Sequence, residues 1–122
     1  MCGFSGIVFS QHPEQAPGAP LIETFRRAAG RVAHRGDTEH RELLLDWVWL
    51  DHYRLAFQDV ASGRQPMLSH DRRHVIVFNG EVYNHLALRP QISREAGTVF
   101  RTRSDTETVL EGWKAFGRAF FE

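Results

Sequence analysis

The chain has 122 residues and a mass of 14.0 kDa, with 42% hydrophobic and 25% charged residues, the make-up of a globular domain with room for one modest core. Fifteen basic residues balance fifteen acidic ones and form no basic stripe that would neutralise phosphates, so nucleic acid is not an expected partner. No stretch of about 18 apolar residues could span a bilayer, no secretory signal opens the chain, and a single cysteine cannot close an internal disulfide; the expectation is a cytoplasmic protein with no membrane partner.

Cys2 is the only cysteine and becomes the first residue if Met1 is removed. The released α-amino group, with a pKa of roughly 7.7–8.0, could take the thiol proton directly or through one water, so one residue would supply both nucleophile and base. Alone, such a cysteine is usually an ordinary thiol. The run Gly3-Phe4-Ser5-Gly6-Ile7-Val8-Phe9 reads as a short buried strand that anchors the reactive end.

Gln11 to Pro20, rich in Pro, Gly, Gln and Ala, reads as a surface loop. Leu21, Ile22, Phe25, Ala28, Ala29 and Val32 repeat at helical spacing, while Glu23, Arg26, Arg27 and Arg31 form a solvated face. His34-Arg35-Gly36-Asp37 breaks this pattern as a loop. Leu43 to Leu50, Tyr53 to Phe57 and His74 to Phe78 are runs of strand length, set apart by turn residues such as Ser62-Gly63 and His70-Asp71. His70 and His74 lie four apart but in a turn leading into a strand, so no metal site is expected.

Asn84 to Glu95 has helical character that Pro90 limits to pieces on either side. Thr98 to Thr102 reads as a short strand. Ser104 and Glu107 fit a capping box ahead of a helix with an apolar stripe of Val109, Leu110, Trp113 and Phe116, which Gly117 stops. The closing Ala119-Phe120-Phe121-Glu122 reads as a truncation, or as aromatics that dock on the domain's own surface or on a partner. The order of elements predicts an α+β fold with antiparallel strands.

Five segments occur in order: Met1-Cys2-Gly3-Phe4-Ser5-Gly6-Ile7, His34-Arg35-Gly36, Arg54-Leu55-Ala56-Phe57-Gln58-Asp59, Asn79-Gly80-Glu81-Val82-Tyr83-Asn84 and Ser104-Asp105-Thr106-Glu107. Together they resemble the N-terminal glutamine amidotransferase domain of glutamine-hydrolysing asparagine synthetases, a class of N-terminal nucleophile enzymes. The resemblance runs from Met1 to about Gly117. It implies a layered αββα fold, incomplete at its C-terminus, with residues 1–122 as the N-terminal part of one amidotransferase domain.

The resemblance also implies roles. Cys2 attacks the side-chain amide of glutamine, forms a γ-glutamyl thioester and releases ammonia. The Asn79 side chain and the Gly80 N–H stabilise the oxyanion, although Asn-Gly alone reads as a turn. Arg54 grips the substrate α-carboxylate, a task suited to a planar fork of donors, although alone it reads as a surface strand arginine. Glu81 and Asp105 meet the α-ammonium, and Asp105 is also favourable against the helix dipole. Leu55, Ala56, Phe57 and Gln58 supply backbone and wall contacts, and His34 and Arg35 order a loop near the site. The partners implied are glutamine, a synthetase domain in a longer protein or on a separate chain, and a homodimer as one allowed assembly. No cofactor is expected in this chain; ATP and Mg belong to the absent synthetase domain, which would amidate aspartate.

The family usually continues His-Arg-Gly with Pro-Asp where this chain has Asp37-Thr38, and Arg103 stands where a glycine commonly precedes Ser-Asp, a change expected to crowd the pocket rim. Two other readings stay open at this point: a non-catalytic glutamine-binding or interaction module, and a truncated, inactive fragment.

Overall fold

The computed structural model describes residues 1–9, 18–57 and 59–122. They form two compact units, Met1–Ala56 and Phe57–Glu122.

In the first unit, strands β1 (Gly3–Val8), β2 (Glu39–Leu45) and β3 (Val48–Arg54) form an antiparallel sheet in the order β1-β3-β2. Gly3 lies opposite Tyr53 and Glu39 opposite Arg54, which sets the register of both pairings. Helix α1 (Ala19–Ala29) starts after Gly18 with Pro20 in its first turn, where a missing N–H costs nothing. Its apolar face puts Ile22, Phe25 and Ala29 against Trp49 of β3, with the Phe25 and Trp49 rings 6.0 Å apart. Burial of the Trp49 ring gives the sheet its main apolar attachment to the helix, since a fully buried large apolar side chain stabilises by about 1.5–3 kcal/mol.

Several expectations are corrected here. β1 is an edge strand rather than a buried one: Phe4 and Val8 are exposed, because successive side chains alternate between faces and one edge of the strand has no partner among the described residues. The apolar run Leu43 to Leu50 is cut by a turn at Asp46-Trp47, so the sequence from Tyr53 onward is the end of β3, with no further strand to Phe57. A hydrophobic turn residue, Trp47, hides that break; its carbonyl accepts the N–H of Phe9 at 2.9 Å. Glu23, Arg26, Arg27 and Arg31 are exposed, as the solvated face requires, and Arg26 also has a partner there. It grips Glu42 of β2 through Nε and Nη2 at 2.7 and 2.6 Å, tying α1 to the sheet and holding the Glu42 carboxyl below its ordinary pKa. His34 and Arg35 belong to a 3-10 turn, Gly30–Arg35, that continues α1. The expected loop Gln11 to Pro20 lies outside the described residues except at its end, where Ala19 and Pro20 are already helical.

The second unit holds a short antiparallel pair, β4 (Met67–Leu68) and β5 (Val75–Ile76), and two helices, α2 (His85–Ala96) and α3 (Asp105–Phe116). The strand expected over His74 to Phe78 shrinks to two residues, and Thr98 to Thr102 is irregular. Glu107 explains the latter, since its buried carboxylate accepts the Arg101 and Thr102 N–H groups at 2.9 and 2.7 Å that a strand would have paired. α2 runs unbroken through Pro90. Arg89, beside the proline, ties α2 to the start of α3 with bonds from its guanidinium to Thr108 Oγ1, Thr102 O and Ser104 O at 2.9, 2.6 and 2.7 Å, and it stacks 4.3 Å over the Phe100 ring.

α3 is capped by Ser104, whose hydroxyl accepts the Thr106 N–H at 3.2 Å, and it stops at Gly117 in a positive-φ conformation. The capping box is altered because Glu107 reaches past the cap to residues 101 and 102. Trp113, assigned to the apolar stripe, is 44% exposed, whereas residues 105–112 are buried all round. Phe120, in the 3-10 turn Gly117–Phe121, packs its ring on Gly112, where a Cβ would strike it. The described residues thus combine helices with small antiparallel sheets, an α+β composition, and no described helix is long and apolar enough to cross a membrane.

Candidate functional site

Cys2 leads into β1, and its position follows from the sheet register. Continuing the β1–β3 pairing one residue beyond Gly3 and Tyr53 brings Cys2 opposite Arg54, which is itself opposite Glu39. Directly opposed residues on antiparallel strands share a face, so Cys2, Arg54 and Glu39 form one row across the end of the sheet. The Cys2 sulfur is half-buried, accepts the Leu55 N–H at 3.4 Å and lies 3.7 Å from the Leu55 carbonyl. A fixed backbone donor gives the thiol a fixed direction.

The 3-10 turn holds the other side. Arg35 Nε donates to the Cys2 carbonyl oxygen at 3.1 Å. Gly3 permits this approach, because a Cβ there would come within 2.8 Å of the Val32 carbonyl and 3.2 Å of the Arg35 Cβ. Gly36 lies so close to the Tyr53 and Arg54 backbone that no side chain fits between them. Thr38 continues the contact, donating its N–H to Arg54 O at 3.0 Å and accepting the Ala56 N–H on its hydroxyl at 3.2 Å. The departure Asp37-Thr38 therefore leaves Thr38 as a clip on the Arg54-Leu55-Ala56 segment. An open hollow of about 360 Å³ lies beside it, lined by Met1, His34, Arg35, Asp37 and Leu55.

Arg54 is 5% exposed, and its Nη1 stands 3.7 Å from Glu39 Oε2. Ala56 is half-buried, Phe57 is 74% exposed, and Gln58 lies outside the described residues.

The second unit gathers the remaining candidates. Asn79, Gly80 and Glu81 occupy the exposed bend between β5 and α2. Gly80 packs beneath the Phe78 ring, which a Cβ would strike. Asp105, at the first position of α3, is buried and accepts the Val82 N–H at 2.9 Å and the Thr106 N–H at 2.8 Å. One carboxylate thereby joins the helix N-terminus to the segment that carries Asn79, Gly80 and Glu81. Arg103 is exposed, and its backbone N–H donates to Asp59 Oδ2 at 2.6 Å. Asp59 also binds Ser62, so the turn at residues 59–62 fixes the approach to Ser104 and Asp105.

Sequence reasoning missed Thr38, Glu39 and Gln65. Nothing local marks them, since each acts on a segment distant in the chain; Asp59 ends the motif Arg54-Leu55-Ala56-Phe57-Gln58-Asp59, and its bond to the Arg103 N–H is likewise invisible in the sequence. Among the described residues no three His, Cys, Asp or Glu side chains come together as a metal-holding group.

A family described as "Glutamine amidotransferase domain" matches residues 1–122. Asparagine synthetase [glutamine-hydrolyzing] 1 of Bacillus subtilis (strain 168) is 35% identical over 116 residues, covering 95% of this chain and 18% of that protein. The protein of the same name from Sandersonia aurantiaca is 34% identical over 128 residues, covering 98% and 22% respectively. The root asparagine synthetase [glutamine-hydrolyzing] of Pisum sativum is 32% identical over 127 residues, covering 100% and 20%. This chain therefore spans about a fifth of the length of these relatives. It belongs to the glutamine amidotransferase domain family, in the form found in proteins named glutamine-hydrolysing asparagine synthetases.

Proposed function

We propose that this chain performs the glutaminase half-reaction of a glutamine-dependent asparagine synthetase. The observation that carries the reading is the setting of Cys2, whose sulfur receives the Leu55 N–H while Arg35 holds its carbonyl. Removal of Met1 frees the Cys2 amine to take the thiol proton, and the thiolate attacks the side-chain amide carbon of glutamine. Negative charge develops on the amide oxygen, where the Asn79 side chain and Gly80 N–H donate. Collapse of this adduct breaks the C–N bond, and the departing nitrogen takes the proton held by the amine and leaves as ammonia. Water then cleaves the γ-glutamyl thioester to glutamate and returns a proton to the sulfur.

Arg54 binds the substrate α-carboxylate, with one edge of its guanidinium toward Glu39. Glu81 and Asp105 receive the α-ammonium, and Leu55, Ala56, Phe57 and Gln58 wall the pocket. We assign the chain to the layered αββα class of N-terminal nucleophile amidotransferases, with residues 1–122 as the N-terminal part of that domain. Its partner is an ATP- and Mg-dependent synthetase domain, in a longer protein or on a separate chain, that amidates aspartate with the released ammonia in the cytoplasm; a homodimer is one assembly this allows.

The test is intact mass before and after 6-diazo-5-oxo-norleucine, a glutamine mimic that alkylates such cysteines, with Cys2→Ala as control. Loss of the Met1 mass and one adduct that requires Cys2 supports the reading. A processed chain that takes no adduct overturns it and leaves a non-catalytic module or an inactive fragment.

A further inference from the structure

Gln65 stands in the stretch that leads into β4, 6% exposed, and its side-chain amide is used at both ends. Oε1 accepts the Phe78 N–H at 2.5 Å, and Nε2 donates to Thr106 Oγ1 at 3.2 Å. The backbone N–H can only donate, which fixes the oxygen toward Phe78 and leaves the NH₂ for the hydroxyl. Phe78 immediately precedes Asn79 and Gly80, and Thr106 immediately follows Asp105. One planar buried amide thus spans the gap between two segments that approach each other nowhere in sequence. The bond from Val82 N–H to Asp105 joins the same segments on the far side of Gly80.

We propose that Gln65 is a positioning residue that sets the separation between the Asn79–Gly80 pair and Asp105, and through it the length of substrate accepted. This rests on the glutaminase reading above. In that reading one pole receives the amide oxygen under attack and the other the α-ammonium, so the distance between them must match an amino acid with two methylenes between its α-carbon and its amide. Asparagine has one fewer. A site discriminates one methylene by about 10–200-fold when its walls are rigid, and that rigidity is what the Gln65 amide supplies. Asn at position 65 is too short to hold both partners. Thr106→Val keeps the volume and deletes only the hydroxyl.

The experiment compares alkylation of Cys2 in the 122-residue protein by 6-diazo-5-oxo-norleucine, of glutamine length, and 5-diazo-4-oxo-norvaline, of asparagine length. Iodoacetamide reports the thiol itself. We expect the ratio of the two diazoketone rates to fall about tenfold or more in Gln65→Asn and Thr106→Val, to be retained in Thr106→Ser, and the iodoacetamide rate to stay within about twofold. A merely structural role lowers the melting temperature and leaves the ratio where it was, which overturns the proposal. Should Gln65→Asn not fold, the Thr106→Val and Thr106→Ser pair decides the matter. A parent protein that neither diazoketone modifies overturns the glutaminase reading and this assignment with it, whereas a reactive parent with an unchanged ratio overturns this assignment alone.

Discussion

Arg35 Nε donates to the carbonyl oxygen of Cys2 at 3.1 Å, so the arginine fixes the backbone of the residue that carries the proposed nucleophile without touching its sulfur. Lysine keeps the charge but presents a point ammonium in place of a directed N–H fork. We expect Arg35→Lys to slow Cys2 alkylation by 6-diazo-5-oxo-norleucine about tenfold or more, because a misplacement of 1 Å at the reacting atom costs up to about 100-fold and a partial one a share of that. Alkylation at the parental rate would show that the backbone bond is dispensable.

Gly36 passes over the Tyr53 and Arg54 backbone at a distance that excludes a Cβ. The atoms in the way belong to β3, the central strand, which is bonded on both edges and cannot retreat. Gly36→Ala should therefore destabilise the protein by about 1–3 kcal/mol, the range of an overpacked site. Thermal unfolding measures it; a parental melting temperature would mean that the 3-10 turn can move away at little cost.

How much of this was legible in the sequence depends on the range over which each residue acts. Ser104 and Gly117 are readable because a cap and a stop satisfy backbone groups within one turn, and both stand where expected. The α1 face is readable from Ile22, Phe25 and Ala29 because helical period needs only local spacing. The hairpin at Asp46-Trp47 is not, since the run Leu43 to Leu50 is apolar straight through and only pairing to β1 and β2 decides where it folds. Pro90 misleads because α2 is held from outside, by Arg89 reaching Thr102, Ser104 and Thr108, which helix propensity alone does not show. The motif residues Cys2, Asn79 and Asp105 stand out through resemblance, whereas Gln65 and Thr38 do not, because each bonds a segment distant in the chain.

Arg89 gives a stability prediction of its own. Three of its nitrogens bond three different acceptors around the start of α3, and its plane lies over Phe100. A lysine ammonium cannot meet that spread of acceptors from one position, so two carbonyls and a hydroxyl lose a charged donor. We expect Arg89→Lys to cost about 1.5–3 kcal/mol, the scale of a hydrogen bond to a charged group, read from urea unfolding. A loss below measurement would mean that α2 carries Pro90 without this anchor.

Asp51 supplies a prediction whose sign depends on which of two opposed effects is larger. Its carboxylate is 1% exposed, Oδ1 lies 2.6 Å from His40 Nε2, and Oδ2 has no hydrogen-bond partner. Burial pushes the Asp51 pKa up, the bond from His40 pulls it down, and Glu42 directly opposite on β2 pushes it up again; the net direction is upward. The same carboxylate, after burial, helps push the Tyr53 hydroxyl above its ordinary pKa. A carboxyl whose folded-state pKa exceeds its unfolded value of roughly 3.9 binds its proton more tightly when folded. Its contribution to stability is complete below the unfolded value and is lost as pH rises through the folded one. Asn at this position does not titrate and still offers an oxygen to His40. The stability of the parent relative to Asp51→Asn should therefore fall as pH rises from about 3 through the raised Asp51 pKa, and then level off. The Glu42 carboxyl titrates in both proteins in the opposite sense, below its ordinary value, and the difference between the two curves includes its coupling to Asp51. Paired urea unfolding curves across this range give the slope directly. A parent that gains on the variant as pH rises would show that the His40 bond, rather than burial, governs Asp51.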